Sequence, residues 1–505
     1  MKKKEAHSLP AVEPVLSPPK RWPSRTRLAC CSVILLAGTL RLQAGLDDFW
    51  LDEIWTVALM EGMDSPAQII LDAKVVNNHF LNSFIVYSLG PQKHWLWYRL
   101  PAVVAGLGTV ILAGFAGRRW GPWHAFAAIL LTGLSFPLIQ YSSEARGYAY
   151  VMFFAMLSFV IMQTLLQDDR PRWKLEILFG ITAIVSFLAH LTYVYCFAAL
   201  GAWLLYSGKK FPPATLVRRA LLGFGPPTLF VGWLYFVSLQ TASRGGGKIE
   251  PFLRTTSRAL SLIVGGPEMG PSVTLFATFA GIGLFSALCF FYRRREWTAV
   301  FFAGVVVAFP AAAVIVLQPE FLYARYFLVS ILFAQLLFAF ALGSLAETSN
   351  GGKWVYIATL LFLTITNTTH TKALLETGRG QYLAAARLIN EQATSLPVSI
   401  GTDHPFRNQM VLSYYWKWIR QPKPLRFYSK NNWPQQGPEW LLRHSMKRNY
   451  DPPSVQLDFY QNRYRLVKVF PYAGLSGWHW GLYRKEAFTQ PAPPSLNGFS
   501  PSGNR

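Results

Sequence analysis

Charged residues are scarce in this sequence, and acidic ones especially so. Only 14% of the 505 residues are charged, and 25 acidic residues stand against 48 lysines and arginines. A typical soluble domain carries about 25% charge. A low charge content together with long apolar runs argues against a soluble globular protein and predicts a polytopic membrane protein.

The net charge of +23 does not indicate a nucleic-acid partner. The basic residues form no single basic domain. They fall in short clusters between the apolar runs, as the positive-inside rule for membrane proteins requires. These clusters are Arg118-Arg119, Lys209-Lys210, Arg218-Arg219 and Arg293-Arg294-Arg295. We therefore expect membrane lipids, and no nucleic acid, among the partners.

Cysteine is equally rare. The four cysteines lie within apolar runs, without a CxxC pair and without a spacing that suits a metal site. They are Cys30, Cys31, Cys196 and Cys289. We expect them to be small packing residues, and they leave the redox compartment open.

The apolar runs predict the topology. Residues 1–27 are basic and proline-rich and predict a disordered cytoplasmic tail. Residues 28–46 predict a first membrane helix that is not cleaved, since no small-residue cleavage site precedes the acidic stretch after it. The run His79–Gly90 is too short for a spanning helix, which needs about 20 residues, so we expect it to lie in the membrane interface. If it crossed, every later charge cluster would be on the wrong face.

The remaining apolar runs then alternate between the two faces. The sequence predicts about eleven crossings, with the N-terminus in the cytoplasm and the C-terminus outside. The predicted crossings are residues 28–46, 99–116, 122–140, 148–167, 174–190, 191–207, 218–239, 272–292, 297–317, 326–345 and 353–369. The main outer loops are residues 47–98, 141–147, 240–271 and 319–325. Residues 28–370 are thus expected to form one transmembrane domain.

The last part of the chain has a different character. Residues 371–487 are aromatic and polar, and short strand and helix patterns alternate along them, which predicts a small extracytoplasmic α/β domain. The expected helices are Gln381–Thr394 and Pro438–Met446, and the expected strands are Pro397–Gly401, Leu425–Tyr428, Tyr464–Phe470 and His479–Lys485. Residues 488–505 predict a disordered tail. The predicted fold class is an all-α polytopic membrane protein with this small C-terminal domain.

Three polar features meet on the outer face in this topology. They are the acids Asp47, Asp48, Asp52 and Glu53, the stretch Asn77-Asn78-His79, and the pair Glu144 and Arg146. A carboxylate at the membrane boundary, flanked by Trp50 and Trp55, suits a general base. The alternatives are a solvated acidic loop of a transporter, or a structural ion pair between an acid and Arg146.

Four short motifs occur in order along the chain. WLDEIWTVAL follows the first apolar run, NNHF precedes the interfacial run, RLP opens the next helix and YSSEARGYAY follows the third. Together they resemble membrane glycosyltransferases of the GT-C class, and most of all the family 39 type. That type includes protein O-mannosyltransferases and lipid A aminoarabinose transferases. The resemblance spans residues 28–345, and the C-terminal part shows no motif that we can assign.

The resemblance implies a reaction. Enzymes of this family take a sugar from a polyprenyl-phosphate carrier on the outer face, invert its anomeric centre and pass it to an acceptor hydroxyl. The implied partners are a polyprenyl-phosphate-linked sugar donor and a glycan, lipid or protein acceptor, with hexosyl or pentosyl transfer. The expected location is the bacterial inner (plasma) membrane.

The resemblance also implies roles for residues. Asp52 corresponds to the proposed base, with Glu53 and Glu144 as further catalytic candidates. The leaving lipid phosphate needs cations to hold its charge. The candidates for substrate binding are Asn78, His79, Arg146, Arg254, Arg258 and Arg325. Family members often carry His-Pro-Pro or Lys-Pro-Pro where this chain has His79-Phe80-Leu81, and some have an arginine at the position of Trp55.

Two questions stay open in the sequence. Family 39 enzymes generally need no metal, whereas oligosaccharyltransferase-type relatives use a divalent ion, and Asp52, Glu53 and Glu144 could form an oxygen site. The rival functions are a polytopic transporter or lipid-linked-sugar flippase without catalytic activity, and an O-antigen ligase-like enzyme with a diphosphate-linked donor. The ionisable residues cluster on one face and no internal repeat is visible, which argues against alternating access.

Overall fold

A computed structural model describes residues 24–75, 77–242, 250–319 and 321–486. The chain divides into two compact units. The first unit contains the chain up to Arg379 together with the short segment Ala473–Ser476. The second contains Gly380–Tyr472 and the residues from Gly477 onward. Most of the predicted N-terminal tail and the whole predicted tail 488–505 lie outside the described residues.

The first unit is built from helices. They are α1 (Ser24–Gly45), α2 (Leu51–Glu61), α3 (Gln68–Leu71), α4 (Phe80–Leu89), α5 (Leu96–Arg118), α6 (Pro122–Leu134), α7 (Phe136–Ser142), α8 (Gly147–Leu165), α9 (Trp173–Ala189), α10 (Val194–Ser207), α11 (Pro213–Arg219), α12 (Gly225–Val237), α13 (Phe252–Ile263), α14 (Val273–Arg293), α15 (Thr298–Ala303), α16 (Phe309–Leu317), α17 (Leu328–Thr348) and α18 (Asn350–Thr377). π-Helical turns at Ala220–Phe224 and Gly304–Ala308 join α11 to α12 and α15 to α16.

Helices occupy all eleven predicted crossings. Within the described ranges, eight helical segments are long and apolar enough to cross a membrane, and α6 with α7 makes a ninth if the bent pair is one span. At the other two predicted crossings lie α9, which has 17 residues, and α18, which is longer and more polar. The helical, multi-pass membrane architecture expected from the sequence is confirmed.

Three helices bear on details of the predicted topology. The run His79–Gly90 forms α4, a helix of 10 residues, which is too short to span a bilayer and agrees with the interfacial interpretation. Helix α1 begins at Ser24, so the end of the tail predicted over residues 1–27 is helical. Helix α18 continues to Thr377, past the domain boundary that the sequence placed after residue 370.

Helix α17 lies in the core of the first unit. It packs against α6, α8, α14 and α18, and most of its side chains are buried on every side. A helix that is apolar all round has no face for solvent, so the surrounding helices enclose it. The helices α6, α8, α14 and α18 are thereby fixed relative to one another.

The chain breaks between α6 and α7 with a bend of 60°. Pro137 lacks an amide N–H and its ring conflicts with the carbonyl of Gly133, so one continuous helix cannot form. The guanidinium of the buried Arg41, in α1, donates to the freed Gly133 carbonyl at 2.8 Å. The Oδ1 atom of Asn367 accepts from the first amide of α7, that of Phe136, at 2.7 Å. The backbone groups that the break leaves without a helical partner therefore find side-chain partners inside the helical core.

In the described part of the second unit there are one mixed sheet and two α-helices. The strands are β1 (Val398–Thr402), β2 (Leu425–Tyr428), β3 (Trp440–Ser445), β4 (Val455–Leu457), β5 (Arg463–Phe470) and β6 (His479–Lys485), in the order β2-β1-β3-β6-β5-β4. Strand β1 is parallel to β2 and β3, and the other neighbours are antiparallel. The helices are α19 (Tyr382–Gln392) and α20 (Met410–Trp416). The expected α/β character of this part is confirmed, although α20 and β4 were not expected.

One element of this unit was assigned wrongly from the sequence. The segment Pro438–Met446 was expected to be a helix, but Trp440–Ser445 forms β3, with Trp440, Leu441 and Leu442 buried between β1 and β6. A strand covered on both faces shows a continuous apolar run and no alternation, so its sequence pattern resembles that of a buried helix.

Candidate active site

Asp52 lies in the first turn of α2, shortly after the C-terminal end of α1. Its side chain is 14% exposed, and its Oδ2 atom forms an ion pair with Nη1 of Arg146. Nη2 of Arg325 lies 3.8 Å from the same oxygen. The other oxygen, Oδ1, makes no hydrogen bond to any described residue. The site therefore presents one carboxylate oxygen beside two guanidinium groups.

Arg146 connects the elements of the site. It is 3% exposed and precedes α8 in an extended conformation. Besides Asp52, its guanidinium contacts Oδ1 of Asn77 at 2.9 Å and Nε2 of His79 at 2.7 Å. It also lies over the Trp50 ring, 5.5 Å from its centroid. A guanidinium held on four sides is fixed in position relative to the carboxylate.

His79 is buried and electrically neutral. Burial, and then the positive charge of Arg146, hold the pKa of its imidazole well below the ordinary value. One ring nitrogen receives the Arg146 contact, and the ring also bonds the backbone carbonyl of Ala189. The ring stacks on His190 with centroids 4.8 Å apart. A neutral imidazole cannot supply charge to a phosphate, so the geometry favours a role for His79 in positioning Arg146 over the substrate-binding role expected from the sequence.

Gly147 allows this close approach. A Cβ atom at this position would lie 2.0 Å from the carbonyl oxygen of Ala189 and 2.9 Å from Nδ1 of His79. Only glycine lets the start of α8 reach the end of α9 and the His79 ring. The EARGYAY motif therefore combines the charged Arg146 with Gly147, whose lack of a side chain allows close packing against Ala189 and His79.

Of the two asparagines before α4, Asn77 and not the predicted Asn78 contacts the Arg146 guanidinium. Asn78, the predicted substrate ligand, donates to the carbonyls of Ile69 and Ala73 at 2.7 and 2.9 Å and accepts from Ser83 at 2.7 Å. Those contacts hold the loop before α4. Asn77 instead bridges Arg146 and the backbone carbonyl of residue 52, the latter at 3.0 Å.

Glu53 is fully buried and faces away from the exposed oxygen of Asp52. Its two oxygens accept hydrogen bonds from Nε and Nη2 of Arg99 at 2.8 and 2.5 Å, which makes a buried bidentate ion pair. Oε1 also accepts from the amide of Ala145 at 2.7 Å, and Oε2 accepts from the amide of Trp50 at 3.4 Å. Glu53 thus ties α2 to α5 and to the loop that carries Arg146.

Glu144 is also fully buried and pairs with an arginine that the sequence did not single out. Nε of Arg379, just beyond α18, lies 3.0 Å from Oε1 of Glu144, and Nη1 lies 3.6 Å from Oδ2 of Asp47. Arg379 further donates to the carbonyls of Ala44 and Gln140 at 2.9 and 3.0 Å. Burial raises the pKa of Asp47 against the opposing charge of Arg379. Oε2 of Glu144 is buried without a hydrogen-bond partner among the described residues.

The three remaining arginine candidates separate clearly. Arg325 lies at the Asp52 carboxylate and also 4.5 Å from the ring centroid of Tyr323. Arg258, in α13, forms an ion pair with Glu250, which lies just before that helix. Arg254 is exposed on the same helix. No contact joins either of them to Asp52 within the described part of the chain. Arg325 is thus the candidate that the fold brings to the site.

Carboxylates and guanidinium groups balance in this region. The acids are Asp47, Asp52, Glu53 and Glu144, and the arginines are Arg99, Arg146, Arg325 and Arg379. Because Asp52, Glu53 and Glu144 each turn to a different arginine, they do not form the oxygen site considered from the sequence. No group of three acidic, histidine or cysteine side chains suited to a metal occurs among the residues that the structure describes.

The sequence analysis assigned no role to Arg99, Arg379 or Asn77, although it placed Asn77 on the outer face and Arg99 in the RLP motif. Arg99 opens the RLP motif, and an arginine at the start of an apolar helix is costly unless it is paired, so that signal was present. Arg379 is separated from Glu144 by 235 residues, and no local pattern announces the contact.

Comparison with known proteins gives a likeness in structure. No protein-family model matches the sequence, and no curated protein gives a significant match. Among solved structures, the crystal structure of ArnT from Cupriavidus metallidurans bound to undecaprenyl phosphate aligns with a TM-score of 0.50 and 15% sequence identity. The alignment covers 92% of this chain and 98% of that chain. At this identity the likeness concerns the fold, and the chain accordingly has a GT-C-like membrane fold similar to that of ArnT.

Proposed function

We propose that this protein is an inverting glycosyltransferase that moves a sugar from a polyprenyl-phosphate carrier to an acceptor hydroxyl. The observation that carries the proposal is the Asp52 carboxylate, partly exposed and contacted by the guanidinium groups of Arg146 and Arg325. Such a site combines a proton acceptor with two cations that suit a phosphate. The fold similarity to ArnT, a protein solved with undecaprenyl phosphate, supports the same donor class.

Both arginines have an N–H donor available for an anion. Arg146 and Arg325 each keep a buried Nε–H without a hydrogen-bond partner in the described ranges. Arginine binds phosphate oxygens through paired N–H groups, and such charge-assisted bonds are stronger than neutral ones. Arg325 is more exposed than Arg146, at 18% against 3%, and its Nη2 atom lies 3.8 Å from Asp52, beyond hydrogen-bond distance. We infer that the donor phosphate takes Arg325 from Asp52 while Arg146 stays in place.

The chemical step follows from this arrangement. Asp52 accepts the proton of the acceptor hydroxyl as its oxygen attacks the anomeric carbon. The bond from that carbon to the carrier phosphate breaks, and the electron pair leaves with the phosphate. Arg146 and Arg325 stabilise the charge that develops on the leaving group. One displacement inverts the anomeric centre.

Four other residues serve this centre indirectly. His79 and Asn77 hold Arg146, since both contact its Nη2 atom. Glu53 and Glu144, proposed from the sequence as catalytic, are buried in ion pairs with Arg99 and Arg379. We propose that both position the loops that carry Asp52 and Arg146 and do not touch the substrate.

The proposed setting is the bacterial plasma membrane, with the N-terminus in the cytoplasm and the second unit outside. The support is the distribution of basic clusters under the positive-inside rule. Cysteine labelling tests it. A single cysteine replacing Arg118 should react only from the cytoplasmic side, and one replacing Ser88, on the short helix α4, should react only from the outside.

A transfer assay tests the function. Purified protein is incubated with a panel of polyprenyl-phosphate hexoses and pentoses and with glycan, lipid and peptide acceptors. We expect transfer with wild type and a loss of at least about a hundredfold with Asp52→Asn, the lower range for removing a general base. The matched control is Asp64→Asn, an exposed acid of the same predicted outer loop, which should transfer at the wild-type rate.

The rival functions give different results in the same experiment. Undiminished transfer by Asp52→Asn would contradict the base assignment. Transfer from diphosphate-linked sugars alone would favour the ligase-like reaction. Carrier movement across vesicles without product would favour a flippase.

A further inference from the structure

A second cluster of charged side chains lies at the opposite end of α9. Helix α9 ends at Ala189, directly before His190, which stacks on His79 in the candidate site. Glu176 lies in the first turn of the same helix. Fourteen residues of α-helix span about 21 Å. The Glu176 region is therefore separate from the Asp52 site.

Two consecutive arginines converge on Glu176. Its carboxylate is fully buried and accepts three hydrogen bonds of 3.0 to 3.2 Å from Arg218. Nε of Arg219 lies 3.7 Å from Oε1 of Glu176, and Nη2 of Arg219 donates to the carbonyl of Asp168 at 2.7 Å. Arg172 pairs with the Asp168 carboxylate at 2.7 Å. Three arginines thus share two carboxylates.

The surroundings add positive charge. Asp169 and Arg170, both exposed, balance each other. Lys210 lies 5.3 Å from the ring centroid of Phe211, and the Arg219 guanidinium lies 4.6 Å from the same centroid. The cluster has an excess of cations at one end of the helical bundle.

Arg219 has bonding capacity that the protein does not use. Its side chain is 1% exposed, yet neither Nε nor Nη1 has a hydrogen-bond partner within the described part of the chain. A buried donor left unsatisfied costs about 1–3 kcal/mol. The Phe211 ring, which is partly exposed, lies between this guanidinium and the surface side chain of Lys210. Arg172 and Arg218 beside it are each about a third exposed.

We propose that this cluster binds the phosphate group of a membrane lipid. Arg172, Arg218 and Arg219 would hold the phosphate oxygens, for which arginine is the best suited cation. Large apolar side chains are exposed on the helices that carry these arginines, and the acyl or prenyl chains of a lipid can pack on them. They are Ile177, Leu178, Ile181, Val217 and Leu221. Two sources share this chemistry, an anionic glycerophospholipid and a polyprenyl phosphate.

Native mass spectrometry of the full chain in neutral detergent tests the proposal. The probes are phosphatidylglycerol, undecaprenyl phosphate and, as the zwitterionic reference, phosphatidylcholine. The undecaprenyl phosphate arm uses Arg325→Gln protein, in which binding at the Asp52 site is weakened, and compares it with the same protein carrying the cluster substitutions. We expect an anionic lipid, phosphatidylglycerol or undecaprenyl phosphate, to bind about tenfold more tightly than phosphatidylcholine and to lose that advantage in Arg172→Gln/Lys210→Gln and in Arg219→Gln.

A matched control separates a built site from general charge. Arg293 and Arg294 are exposed at the end of α14, and the double change to glutamine removes the same charge as Arg172→Gln/Lys210→Gln. Equal loss of lipid binding in the two double variants would overturn the proposal, as would equal affinity of wild type for all three lipids. Because Arg172 and Lys210 are near the surface, their variant is expected to fold even if Arg219→Gln does not. The outcome does not depend on glycosyl transfer.

Discussion

The change Glu53→Gln distinguishes a positioning acid from a catalytic one. It keeps the shape of the side chain but removes its charge and turns one acceptor into a donor that faces Arg99. Removing one partner of a buried ion pair costs about 3–5 kcal/mol, because the other charge is left uncompensated. Arg99 still donates to the backbone carbonyls of Gly45 and Asp48, both at 3.0 Å, so we expect the lower end, about 3 kcal/mol.

Thermal unfolding of the purified protein, followed by tryptophan fluorescence, measures this cost. For a large domain, about 3 kcal/mol corresponds to a fall in Tm of roughly 6–12 °C. Asp52→Asn is the comparison, and it should lower Tm much less because its carboxylate is partly exposed and Arg146 retains Asn77 and His79. A Glu53→Gln protein with the Tm of wild type but with the same loss of turnover as Asp52→Asn would refute the positioning role.

Three further predictions concern the residues around the guanidinium groups. Replacing Arg325 with glutamine should raise KM for the donor by about tenfold or more with a small change in Tm, since one charge-assisted bond is worth about 1.5–3 kcal/mol, and Arg325→Lys should recover part of it; steady-state kinetics measures both. The folded-state pKa of His79 is depressed, so its contribution to stability is present above the unfolded value of 6.5 and is lost as pH falls below it; the Tm difference between pH 7.5 and 5 should be smaller in His79→Gln than in wild type. Asn77→Ala should reduce turnover by freeing Arg146, whereas Asn78→Ala should lower Tm by loosening the loop before α4, and the reverse pattern would contradict the division drawn between the two amides.

The crossings and one ion pair of the site could be predicted from the sequence for physical reasons. Membrane helices need long apolar runs, so their positions can be predicted from local sequence. The run at α4 is too short to span, and its length alone identifies it as an exception. Asp52 and Arg146 lie in two outer loops that the topology brings to one face, and the ion pair between them was one of the alternatives considered.

The partners inside the helical unit could not be predicted in the same way. Arg379 reaches Glu144 across 235 residues and Arg99 reaches Glu53 across 46, and only the packed helices decide which arginine meets which acid. The choice between Asn77 and Asn78 depends on one turn of backbone before α4. Strand β3 was missed because burial on both faces removes the alternation that identifies a strand.

The bend between α6 and α7 also bears on how the protein is made. Arg41 lies in the last two turns of α1, and an unpaired arginine in a membrane helix is costly, up to about 2.5–3.5 kcal/mol at the helix centre. Its acceptor, the carbonyl of Gly133, belongs to a segment synthesised 92 residues later. Before α6 is present, Arg41 has the carbonyl of Ala37 in its own helix as an acceptor, and the proline-induced break then adds a second acceptor from α6.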